Sequence, residues 1–281
     1  MNNLKTVGLL AFMTTLLWLV AYAFGGGFWL GLLIAVAFNG LAYFFSDKLA
    51  LTASRARPVT EAEQPQVYAI VRRLAEQTRM PVPRIYMIDS PQPNAFATGR
   101  SPKKAAVAVT AGILQVLDFD ELEAVLAHEL AHVQNRDILI SSIAAMIAAA
   151  LTMFARMAFW FGSGDSRENP LGAIGALLSL IVAPIAAMLI RLAISRTREF
   201  QADATGAEIT GRPMVLASAL EKISAGTARI PMNVNPATAQ LFIDNPMKAL
   251  RGGGGMMRLL STHPPTEERI ERLTRMAQGV R

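Results

Sequence analysis

The chain has no cysteine, and only three of its 281 residues are histidine. The first absence excludes disulfides and thiolate ligands, so any bound metal must be held by nitrogen and oxygen. Charge is also scarce. Charged residues make up 17% against 52% hydrophobic, and the mean hydropathy is +0.34, which is unlike an ordinary soluble protein. The charge that remains leans basic, at net +6. It comes without aromatic-interleaved basic stripes or a nucleic-acid motif, so no nucleic-acid partner is expected. A basic rim facing a lipid bilayer is the reading that fits so apolar a chain.

The longest gaps in charge mark candidate spans. From Thr6 to Ser46 there is no charged residue, which suits two helices, Val7–Phe24 and Phe28–Phe45, joined at Gly25-Gly26-Gly27. A second long apolar run follows at once, without a small-residue cleavage site between, so the first segment reads as a span rather than a signal peptide. A second hairpin is expected across 138–194. There, uncharged stretches flank the polar turn Gly162–Pro170, and Pro184 would kink the second limb. Lys48, Arg55 and Arg57 after the first hairpin, and Arg191, Arg196 and Arg198 after the second, put the remaining chain in the cytoplasm by the positive-inside rule. Arg156 within the second hairpin is costly in lipid, and a half-inserted hairpin is the alternative there.

Between and after these segments the pattern is that of an α+β, mostly helical domain. Glu61–Met80 reads as an amphipathic helix with Val67, Ile70, Val71 and Leu74 on one face. Val82–Ile88 and Lys104–Thr110 read as strands, Asn94–Ala97 as a short extended piece, and Ala111–Leu117 as a short helix. Further helices are expected at Arg198–Thr210, Pro213–Ser224 and Pro265–Gln278, the last with Ile270, Leu273 and Ala277 on one face. Gly226–Met257, rich in Gly and Pro, reads as a mobile loop. The chain then divides into 1–46, 47–137, 138–194 and 195–281.

What chemistry there is centres on His128-Glu129-Leu130-Ala131-His132. On a helix, residues four apart share a face, so His128 and His132 can present two imidazoles to one Zn²⁺. Glu129 can then act as general base toward a metal-activated water. Asp120 and Glu123 look like a capping box for this helix, and Leu122, Val125, Leu126, Glu129 and Val133 follow at helical spacing. A catalytic zinc usually takes a third protein ligand. Glu199 and Asp203, four apart, suit a ligand and an acceptor for a ligating imidazole N–H. Spacing alone equally allows a surface acidic pair beside Arg196 and Arg198.

Four segments carry a resemblance. H-E-L-A-H-V-Q-N-R-D at 128–137, R-E-F-Q-A-D at 198–203, P-N-A-F-A-T-G at 93–99 and H-P-P-T-E-E-R-I at 263–270 resemble the membrane-embedded M48 metallopeptidases, in particular their HtpX heat-shock group. Together with the two apolar hairpins, the resemblance covers essentially the whole chain. It implies a zincin-like gluzincin domain fused to about four transmembrane helices. It further implies one Zn²⁺ on His128, His132 and Glu199, with Glu129 as general base and Asp203 behind His128. The implied role is cleavage of misfolded or damaged membrane proteins at the cytoplasmic face of the bacterial inner membrane, in envelope stress. Three roles stay open between functional and structural readings. Asn94 either binds substrate backbone at a cleft-edge strand or caps a turn after Pro93. His263 either stabilises the oxyanion or opens a helix ahead of Pro264-Pro265. Arg269 either leans into the same site as a substrate contact or is an ordinary helix-surface residue. The competing functions are a structural zinc scaffold, which has no use for Glu129, and a transporter, for which the first hairpin offers only Thr14, Thr15 and Asn39. A prenyl-peptide protease is the nearest enzymatic alternative.

Overall fold

In the computed structural model the described residues are 27–135, 196–232 and 264–279, most of 234–246, and scattered positions within 7–18 and at 139, 143 and 249. They form a mostly helical structure with one small mixed sheet. In chain order the helices are α1 (Gly27–Ala53), α2 (Pro65–Gln77), α3 (Ala111–Val116), α4 (Phe119–Gln134), α5 (Arg196–Thr210), α6 (Pro213–Arg229), α7 (Pro236–Ala239) and α8 (Thr266–Ala277). The strands are β1 (Arg57–Pro58), β2 (Arg84–Ile88), β3 (Ala95–Thr98) and β4 (Ala106–Thr110), in the order β1-β2-β4-β3. β2 and β4 run parallel and β3 closes antiparallel on β4, so β3 is an edge.

The sheet is short because its strands are short apolar runs between turns. Gly99 ends β3 at φ 136°, and a Cβ there would lie 2.6 Å from the Lys104 carbonyl, so only glycine makes this turn. One face of the sheet packs on α2 and α4 through Val67, Ile70, Val107, Val109 and Leu126. The motif helix α4 begins earlier than the sequence pattern placed it. Its cap is Asp118, whose side chain accepts from Glu121 N while Glu121 answers at the Asp118 N–H. Asp120 and Glu123 are therefore not the box, and Glu123 instead pairs with Arg73 at 2.5 Å. Glu121 also holds α6 through Ser218 and Lys222, both at 2.7 Å.

Other expectations shift at their ends. α2 starts at Pro65 after a turn in which Glu63 accepts from Thr60, and α6 continues to Arg229, past Ser224. On α8, Ala277 is exposed while Arg269 is buried with Leu273. α1 runs on to Ala53 but bends by 60° between Gly27–Leu41 and Tyr43–Ala53. The first limb spans about 22 Å at 1.5 Å per residue, short of a hydrocarbon core of about 30 Å. Among the described residues no single helix is long and apolar enough to cross a membrane, although the two limbs together pass by length and composition. Asn39 of α1 reaches back to the Leu10 carbonyl at 3.1 Å and to Thr14 at 2.6 Å, tying α1 to the preceding apolar segment. Asp47, near its far end, is anchored to Arg84 of β2 at 2.7 Å. The second hairpin expected at 138–194 lies outside the described residues, apart from isolated positions.

Candidate metal centre

α4 and α5 cross closely, and a glycine permits it. A Cβ on Gly206 would lie 2.9 Å from the backbone nitrogen of His128 and 3.0 Å from its Cα. With hydrogen there, α5 lies directly against the turn of α4 that carries His128. Glu199 and Asp203, two turns and one turn earlier on α5, thereby face His128 and His132.

The resulting geometry is that of a ligand set. His132 Nε2 is 3.5 Å from Glu199 Oε1, and His128 Nε2 is 3.9 Å from Glu199 Oε2. One ligand atom from each of the three residues lies within 4.8 Å of the others. A tetrahedral ion with bonds of about 2.1 Å sets its ligands about 3.4 Å apart, so the residues fit a metal. The two imidazole rings stand nearly perpendicular, their centroids 4.8 Å apart.

Behind the ligands sits a buried ionic chain. His128 Nδ1 is 2.9 Å from Asp203 Oδ1, which assigns the hydrogen to Nδ1 and leaves Nε2 as the lone-pair donor. Arg269 grips the same carboxylate with two bonds, Nε to Oδ2 at 2.8 Å and a terminal nitrogen to Oδ1 at 2.6 Å. Burial, first of all, lowers His128 to about 4, with the Arg269 charge adding to it against the Asp203 hydrogen bond. Burial pushes Asp203 up, but Arg269 outweighs it and His128 assists, so the carboxyl falls to about 2. A neutral imidazole beside an ionised carboxylate is the pairing that metal ligation needs.

Glu129, next to His128, points to the sheet. Its Oε2 accepts from the Ala97 N–H at 2.8 Å, which fixes the carboxylate against the β3 edge. Both groups are buried.

Two residues expected at the substrate are buried. Asn94 is fully buried. Its amide donates to the Asp244 carbonyl at 2.8 Å and its oxygen accepts from Ala95 N at 3.1 Å and Asp244 N at 3.3 Å. It holds the 241–246 segment and does not line an open cleft. Arg269 is 2% exposed and clamps Asp203, so it positions a ligand's partner and does not present itself to substrate. Buried charge of this kind survives only with such pairing. His263 lies outside the described residues.

The 241–246 segment, read from sequence as part of a mobile loop, is packed. Phe242 is fully buried against Phe96, with ring centroids 5.0 Å apart. Ile243 is buried too, its N–H bonded to the Ala95 carbonyl at 2.9 Å. Two such side chains contribute on the order of 1.5–3 kcal/mol each. The Ile243 carbonyl accepts from Arg269 at 3.1 Å, Asp244 accepts from Thr227, and the Gln92 amide donates to Ile230 and Pro246 carbonyls at 2.6 and 2.8 Å. Neither this strap nor the Gly206 contact follows from periodicity. The glycine's only sequence signal is its place one turn beyond Asp203.

A His/His/carboxylate set on two helices, with a glutamate beside it at a strand edge, fits a metallopeptidase centre. The model of peptidase family M48 matches residues 61–277, and the chain belongs to that family. It is 48% identical over 286 residues to a "Protease HtpX homolog" of Thermococcus sibiricus, covering 99% of this chain and 97% of the relative. It is 50% identical over 284 residues to another of that name from Pelotomaculum thermopropionicum, covering 99% and 100%. The protein is thus an HtpX-type M48 metallopeptidase. The crystal structure of S. mikatae Ste24p shares the fold at a TM-score of 0.52 and 20% identity, covering 97% of this chain but 65% of that one.

Proposed function

We propose that the protein is a zinc-dependent endopeptidase anchored in the plasma (inner) membrane by several spans. It hydrolyses misfolded or damaged membrane proteins at the cytoplasmic face, as part of envelope quality control under stress. The observation that carries this reading is the juxtaposition of His128, His132 and Glu199 with Glu129 in a family of peptidases. The membrane part draws on the uncharged stretch 6–46 and on the exposed apolar face of α1. The proposed substrates are membrane-protein and unfolded polypeptides lying at the lipid surface.

His128, His132 and Glu199 would hold the zinc, a donor set that suits it in a chain without thiolates. When bound, zinc polarises the scissile carbonyl and lowers the pKa of its water. Glu129, steadied by the Ala97 N–H, would serve as the general base and as the proton donor to the leaving amine. Asp203 fixes the His128 tautomer, and Arg269 fixes Asp203. We assign His263, which directly precedes the buried Pro264 ahead of α8, to stabilising the oxyanion.

Purified protein in detergent should cleave an unfolded polypeptide, lose that activity to a chelator and regain it with Zn²⁺. Glu199→Ala should lower both bound zinc and activity, while Arg198→Ala leaves zinc content near normal. Full zinc occupancy in Glu199→Ala would remove Glu199 from the ligand set.

A further inference from the structure

We infer that the second limb of α1 and the loop between β3 and β4 form one surface that binds anionic phospholipid headgroups. The inference rests on the membrane reading above. It adds which lipid the protein selects and which face it turns to the headgroups.

The second limb, Tyr43–Ala53, lies at 60° to the first and divides its sides between two surroundings. Ser46, Asp47, Ala50 and Leu51 are buried, and Ala50 and Leu51 join a core cluster with Ile88, Phe96 and Ala106 of the sheet. That side is used by the protein itself. The other side carries Phe44, Phe45 and Leu49 at 56%, 42% and 46% exposure, with Lys48 exposed among them. Residues three and four apart share a helix face, so these positions make one stripe. Exposed rings mixed with lysine suit neither a core nor the hydrocarbon interior. They suit the headgroup level, where apolar side chains settle and cations reach phosphate.

The loop brings further cations to the same stripe. The Arg100 guanidinium lies 4.9 Å from the Phe44 ring and 6.0 Å from that of Tyr43. Lys103 and Lys104 are exposed on the short 3-10 turn Pro102–Lys104. The Lys104 N–H closes that turn on the Ser101 carbonyl at 2.9 Å, and Gly99 packs against its far side. The loop therefore has its shape without a ligand.

Charge here is of one sign. Residues 40–60 and 95–117 contain a single acid, Asp47, which is buried and bonded to Arg84 at 2.7 Å. None of Lys48, Arg100, Lys103 and Lys104 is ion-paired with a carboxylate among the described residues. Lys48 instead lies 5.5 Å from the Phe45 ring. Uncompensated cations beside an apolar helix are drawn to an anionic leaflet. The contact also bears on the reacting groups. Ala97, whose N–H holds Glu129, is three residues before Arg100, at most about 10 Å of extended chain. Headgroups bound at the loop thus set how β3 and Glu129 stand over the bilayer.

The test uses full-length protein in vesicles of phosphatidylcholine, with or without phosphatidylglycerol. The chain lacks cysteine, so Ser101→Cys, at a side chain that makes no cap hydrogen bond, takes a single fluorophore. Quenching by a headgroup nitroxide should be at least about twofold stronger with phosphatidylglycerol present. Replacing Lys48, Lys103 and Lys104 together by Gln should abolish that difference with zinc content unchanged. Equal quenching in the two vesicles, or a difference that survives the triple replacement, overturns the anionic surface. A label at Leu33→Cys, probed with an acyl-chain nitroxide, checks the reading beneath it. Quenching at Leu33→Cys but not at Ser101→Cys overturns the inference alone, and quenching at neither overturns the membrane reading as well.

Discussion

α1 and α4 are both apolar helices, yet they dispose of their side chains in opposite ways. α4 is buried along nearly all its length, and its polar residues are matched one by one: Glu121 with Lys222, Glu123 with Arg73, His128 with Asp203, Glu129 with Ala97 N–H. α1 turns Trp29, Leu33 and Val36 outward at 79%, 66% and 59% exposure. An apolar helix in a protein core must satisfy every polar group by design. One that leaves so much apolar surface uncovered is completed by something else, and for this chain we propose lipid.

Variants can sharpen or break that contrast. The largest effect is expected at Glu129→Gln, which keeps size and ligands but removes the base. Cleavage should fall by about 10²–10⁴-fold with zinc content unchanged, and near wild-type turnover would end the mechanism. Leu126→Ala in α4 should cost about 2–5 kcal/mol in denaturant unfolding in detergent. Leu33→Ala in α1 should stay within about 0.5 kcal/mol, and equal costs would show that α1 is packed as core. Arg269→Gln leaves Asp203 without its clamp, so zinc affinity should drop by about 10–100-fold in a competitive chelator titration. A small change is also expected for Asp47→Asn, which loosens the attachment of α1 to β2. Its partner Arg84 is nearly half exposed, and such pairs contribute no more than about 1 kcal/mol.

What could be read from the sequence was what repeats or recurs locally. The spacing of His128 and His132 set a helix and a shared face, and Val67, Ile70, Val71 and Leu74 gave the buried stripe of α2. The Glu199–Asp203 spacing left a surface pair open, and what decides between the readings is a contact between distant segments. Gly206 brings α5 against His128, and no local pattern announces that approach. Arg269 shows the same limit. A charged residue on a terminal amphipathic helix reads as surface, and only the partner it meets 66 positions away makes it a buried clamp. The α4 cap was missed for a nearer reason. Asp118 and Asp120 both stand three residues before a glutamate, and the choice fell to where the chain first turns helical. Within Gly226–Met257 composition misled at 241–246, which Phe242 and Ile243 hold in place, while 250–257 lie outside the described residues.

The dispersal of the centre along the chain has a consequence for when the molecule becomes dangerous. His128 and His132 leave the ribosome well before Glu199 and Asp203, with the apolar stretch 138–194 to be settled in between, and Arg269 emerges later still. A nascent chain carries half a clasp and cannot cut itself or its neighbours. Proteolytic competence begins only when the late segments dock on α4, so the order of synthesis serves as a safety catch.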